Sequence, residues 1–228
     1  MHRADIQYAF NSGSYPRFYR DEFPRGMIMS LLGESVPQEE LLGVASDARV
    51  YDPELKEVLV DLMSISCLFN DDRRVVRLDP FAYQEILISV CYRLLHRYPL
   101  AGDGYDNDND NAGYFGLLAL ISTLFFYYRQ PQRLPYDLLA KRLRHGIERV
   151  LCNKLVEETT LLWLLFAGGI SVFDDSDQAW LIPQIKALLF TLNINSWRAA
   201  RSKIKTLPWI DVAHDKLGEE LWQAVVLE

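Results

Sequence analysis

Cysteine is scarce and badly placed for chemistry. Three thiols, Cys67, Cys91 and Cys152, are spread over 228 residues. No two have the short spacing of a zinc site, and an odd number leaves no closed disulfide set. Each lies in an apolar helical pattern, the setting of a buried, reduced thiol. Membrane-length apolar runs are missing too. The two main runs count thirteen residues from Leu161 and fifteen from Tyr114. A spanning helix needs about 20, so both runs fit buried core helices instead. Positive charge is in deficit, with 24 Lys and Arg against 31 Asp and Glu, a net charge of -7 and a pI near 5.2. Such a chain repels nucleic-acid phosphates, which argues against direct DNA or RNA binding. Arg198, Arg201, Lys203 and Lys205 form a local basic group, read as the solvated face of a helix. The first 26 residues carry charge throughout and have no apolar centre, so they are not a secretory signal. No segment alternates apolar and polar residues as a strand does, and no fixed repeat is present.

What is present is core material: half of the residues are hydrophobic and 12% are aromatic. This excludes a mostly disordered chain and suits one large domain. Residues 1–36 are rich in Tyr, Arg, Gly, Ser and Pro, and they read as an irregular arm with room for one short helix. Its aromatics, Tyr8, Phe10, Tyr15, Phe18, Tyr19 and Phe23, are expected to pack on something. Residues 37–228 read as a helical domain. A short helix is expected over 37–45. Asp52-Pro53 and Asp79-Pro80 are two strong helix starts, an N-cap acid followed by proline at the first helical position. The first opens a stripe of Leu55, Val58, Leu59, Leu62 and Met63. The second opens one of Phe81, Ile86, Leu87, Val90, Leu94 and Leu95. Further helices are expected over 114–130, 136–152, 155–173, 178–194, 196–207 and 215–227. The fold class is all-α, a single multi-helix domain of about eight to ten helices.

Candidate motifs fall away one by one. AGDGYDNDNDNAG, residues 101–113, spaces Asp106, Asp108 and Asp110 like calcium ligands. Asn111 stands where the loop needs glycine and Leu117 where it needs glutamate, so a flexible, solvated acidic loop is the better reading. FAGGIS, with Gly168 and Gly169, lacks the spaced glycines and the lysine of a phosphate loop, and acids follow it. Two glycines inside a helix cost about 1 kcal/mol each, offset by close approach of another helix or by room at the edge of an apolar cavity. Asp177 or Ser176 is expected to cap the helix that follows. Asp211, His214 and Asp215 in WIDVAHD could act as acid and base. They could equally cap the last helix, with Asp215 as its N-cap. No metal or cofactor pattern appears. The tryptophans crowd late, and Trp163, Trp180 and Trp209, with Phe166, Gly168 and Gly169, are the candidate lining of an apolar ligand site.

LLWLLFAGGISVF, AWLIPQI and SWRAARSKIKTLPWIDVAHDKLGEELW resemble the C-terminal half of the fungal-specific transcription factor regulatory domain. LDPFAYQEILISVCYRLLHRYPL and LPYDLLAKRLR resemble it further upstream, so the likeness spans roughly residues 50–227. It is a pattern of apolar and tryptophan positions, not a catalytic signature. The resemblance implies an all-helical effector domain that controls transcription in the nucleus, with the cytoplasm as the alternative. A small apolar ligand, suited to a lining of Trp, Phe and Leu, a homodimer, which the apolar content allows, or a co-regulator protein is the expected partner. The chain departs from the family in one respect: it has neither the closely spaced cysteines of the binuclear zinc cluster nor its basic region. DNA binding by this chain is therefore not expected. A biosynthetic enzyme or accessory protein on the same fold is the alternative reading, resting on Asp211, His214 and Asp215.

Overall fold

The computed structural model describes residues 1–19, 52–70, 80–104, 106–126 and 136–227. Among them are nine helices and no strand. They are α1 (His2–Ser12), α2 (Pro53–Asn70), α3 (Pro80–Arg97), α4 (Asp108–Phe126), α5 (Asp137–Asn153), α6 (Glu158–Ser171), α7 (Gln178–Thr191), α8 (Trp197–Ile204) and α9 (Asp211–Leu227). The all-α class is thus the observed one. The expected helix over 37–45, Phe23 and the Asp79 cap lie outside the described residues.

α6 is the centre. Every residue from Thr160 to Ser171 is buried, and α4, α5, α7, α8 and α9 all pack against it. α4 is the second axis, lying on α5 and α6. Both helices are apolar on all sides because neighbours cover all sides. No helix among the described residues is long and apolar enough to cross a membrane.

Local chemistry starts and stops the elements. Asp52 Oδ1 accepts the Leu55 N–H at 2.9 Å, and Ser196 Oγ accepts the Ala199 N–H at 3.3 Å, each satisfying an orphan donor. α1 ends at Gly13, whose φ of 69° is left-handed. A side chain there would also meet Leu138 at 2.6 Å. α2 and α3 are joined by the Arg93–Asp61 ion pair, both side chains nearly buried.

Three expectations change, and one is met: the arm holds a short helix, α1, which buries Ile6, Ala9 and Phe10. Buried Asp5 accepts the N–H groups of Arg17 and Phe18, each at 2.9 Å, and the Tyr92 hydroxyl at 2.9 Å. Tyr19 stacks on His96 with ring centroids 3.9 Å apart, whereas Tyr8, Tyr15 and Phe18 stay exposed. Phe81 is 77% exposed. It precedes Val90 by nine residues, about two and a half turns, which sets it on the opposite face. Tyr83 holds the core-side position and meets Phe69 edge-on at 5.4 Å. The stretch 101–113 is not all loop, because α4 starts at Asp108. Asn107 Oδ1 accepts the Asp110 N–H at 2.7 Å, and buried Asp110 accepts the Asp52 N–H at 3.1 Å. Asp110 is thus drawn into the fold, whereas Asp103 and Asp106 stay exposed. Finally, the last helix opens at Asp211, four residues before the expected Asp215.

Candidate functional site

Residues 208–215, between α8 and the second turn of α9, hold the sequence's acid–base candidates. Their backbone is wired to distant helices. Trp163 Nε1–H donates to the Pro208 carbonyl at 2.9 Å. Ser66 Oγ accepts the Trp209 N–H at 3.1 Å. Asn70 Nδ2 donates to the Trp209 carbonyl at 2.7 Å, and Asn70 Oδ1 accepts the Asp211 N–H at 2.9 Å. His214 Nδ1 accepts the Ile210 N–H at 2.9 Å. Nε2 therefore carries the proton and donates to Thr123 Oγ1 at 2.9 Å, while that hydroxyl donates to the Leu120 carbonyl at 2.6 Å. The imidazole is fully buried. Burial pushes its pKa down to about 3, against a smaller upward pull from Asp215.

His214 is thus neutral and has both nitrogens engaged. It has no lone pair to offer a substrate and no path to one. Asp215 accepts from Trp209 Nε1–H at 2.9 Å and from Arg201 at 2.8 Å. Asp211 accepts from Arg201 at 2.7 Å and Lys205 at 2.8 Å. Half of the predicted basic group is consumed here, bonding α8 to the first turns of α9, where negative charge also suits the helix dipole. This junction is built to hold helices together. Among the described residues no group of three or more His, Cys, Asp or Glu could hold a metal ion.

The second feature is a cleft of about 140 Å³ beside the C-terminal end of α6. Gly169 and Phe173 border it from α6 and the turn that follows. Leu181 and Ile182 line it from α7, and Leu217, Leu221 and Ala224 from α9. Asp174, Gln178 and Glu220 complete its lining, and all three side chains are exposed. The floor depends on glycine. A Cβ on Gly169 would lie 2.6 Å from Leu221 and 3.0 Å from Leu181, and one on Gly168 only 2.2 Å from the Phe173 ring. The Gly-Gly pair therefore serves close packing, and one of the two glycines also borders the cleft.

The six candidate lining residues do not converge on one site. Gly169 alone borders this cleft. Trp163 and Trp209 are core side chains whose indole N–H groups are spent on Pro208 and Asp215. Phe166 stacks on Trp197 at 6.0 Å. Gly168 lies under Phe173. Trp180 is half-buried, edge-on to Phe173 at 5.6 Å with the Arg144 guanidinium 4.8 Å above its ring. Asp177 sits at the α7 N-cap position, yet its side chain makes no capping bond. It takes Arg144 at 3.1 Å and the Asp174 N–H at 3.3 Å instead. The sequence signal for the cleft was the row Leu217, Leu221 and Ala224 at i, i+4 and i+7, flanked by Glu220. Searched against protein-family models, curated proteins and solved structures, the chain matches none of them.

Proposed function

We propose that this chain is a non-catalytic regulatory effector domain that works by binding a partner protein, with the α6–α7–α9 cleft as its contact. The observation that carries this is the size and lining of the cleft. Small-molecule pockets run from about 300 to 1,000 Å³ and enclose most of their ligand. A cleft of about 140 Å³ with five aliphatic walls suits one apolar side chain of a protein. The regulatory class, the fungal transcription-factor type and the nuclear location are supported by the resemblance over residues 50–227 and by nothing else. The enzyme reading stood on Asp211, His214 and Asp215, and the buried, doubly bonded imidazole removes its base.

Native mass spectrometry of the purified chain, with a denatured control, tests the choice of partner over ligand. The expected spectrum shows the mass of the bare chain or a multiple of it. An added few hundred daltons, lost on denaturation, would replace the partner by a small apolar ligand. Gel shift with the isolated chain is expected to show no specific DNA complex, since a net charge of -7 repels phosphates on average. A specific, salt-sensitive complex would overturn the effector reading.

A further inference from the structure

The cleft specifies its occupant by chemistry. Its walls are aliphatic, and Asp174 and Glu220 bring carboxylates to its edge. The complement is an apolar side chain with a cation close by. The chain displays that combination itself. Phe190, near the end of α7, is 89% exposed, and Lys186 lies one turn before it on the same side of the helix. Neither Lys186 nor Glu220 has an ion-pair partner among the described residues.

We infer that the occupant is a second copy of this chain, with Phe190 of each copy entering the cleft of the other. The inference rests on the reading of the cleft as a protein contact. α7 carries both halves of the interaction. Gln178, Leu181 and Ile182 line the cleft at its N-terminal end, and Phe190 lies eight residues beyond Ile182, about 12 Å along the axis. Two α7 helices crossing antiparallel about a two-fold axis bring each Phe190 to the other copy's N-terminal turns. Both contacts then form at once, as an isologous interface requires. Pro183 and Ala187, exposed between the two ends, are small enough for the helices to approach. Lys186 faces the acidic edge made by Asp174 and Glu220 of the second copy. A contact this small forms a weak dimer that depends on concentration.

Sedimentation velocity from low micromolar to several hundred micromolar tests it, using surface substitutions that leave the core untouched. The wild-type chain is expected to pass from monomer to dimer. Phe190→Asp should weaken the dimer about 30-fold, as loss of an interface anchor does. Lys186→Glu and Glu220→Lys should each weaken it about threefold. The double variant, Lys186→Glu with Glu220→Lys, should recover much of the loss. A chain that stays monomeric throughout, or a dimer indifferent to Phe190→Asp, overturns the inference. Neither result touches the proposed function, which fails on a bound small molecule in the mass spectrum.

Discussion

Gly168 and Gly169 are adjacent and chemically identical, yet their neighbours give them different tolerances. A methyl on Gly168 meets the Phe173 ring at 2.2 Å, and that ring is held by Trp180 and by the Phe173 N–H bond to the Gly168 carbonyl at 3.0 Å. A methyl on Gly169 meets the ends of two leucines, which can rotate. Gly168→Ala is therefore expected to cost about 3 kcal/mol and Gly169→Ala about 1 kcal/mol or less, read as shifts in urea midpoint. Equal losses would show that Phe173 moves as freely as Leu221. His214 makes a prediction about pH. It stays neutral in the fold down to about pH 3, while in the unfolded chain it takes up a proton below about 6.5. Its depressed pKa means that stability is full above pH 6.5 and falls as pH drops toward 3. Between pH 7.5 and pH 5 the loss from this residue is about 2 kcal/mol. Denaturation of wild type and His214→Gln at both pH values should show a smaller pH-dependent loss in the variant. Parallel losses would mean that the imidazole is charged in the native state.

At the scale of elements, Arg93–Asp61 is the buried one of the ion pairs between α2 and α3, while Arg97 reaches Glu54 and Asp52 at a more exposed end. Arg93 and Asp61 have side chains only 10% and 13% exposed. Removing one partner leaves the other charge buried and uncompensated. Arg93→Ala is expected to cost about 3 kcal/mol or more. The double substitution Arg93→Met with Asp61→Leu should recover most of that loss, because two apolar side chains pack without desolvated charge. If the double variant is as unstable as the single one, the pair positions the helices by more than charge balance. The helix starts at Asp52-Pro53 and Ser196 were legible because a cap and its helix lie within four residues of each other. The α9 start was not. Its first N–H is satisfied by Asn70, 141 residues away, so the segment before Asp215 shows no local cap to read.

For the whole molecule, the central place of LLWLLFAGGIS was legible from its lack of a polar face. The candidate site was legible only in part. Counting aromatic residues pointed to tryptophans, but large aromatics fill cores as readily as they line pockets. Trp163 and Trp209 bury their rings and spend their N–H groups inside the fold. The cleft is made by residues with weak individual signals, Leu217, Leu221 and Ala224 against Leu181 and Ile182. Phe81 shows the reverse error, a large apolar residue placed in the core by type when its helical phase sets it outside.

By itself the sequence determined the helical class, the central helices and the caps at Asp52 and Ser196. Periodicity and capping act over a few residues, so they are written where they act. Tertiary structure decided what His214 bonds to, which glycine borders the cleft and whether Asp215 caps or clamps. Those outcomes depend on partners such as Thr123 and Asn70, 91 and 139 positions from the residues they hold. Only the packing of helices brings such groups within hydrogen-bonding distance.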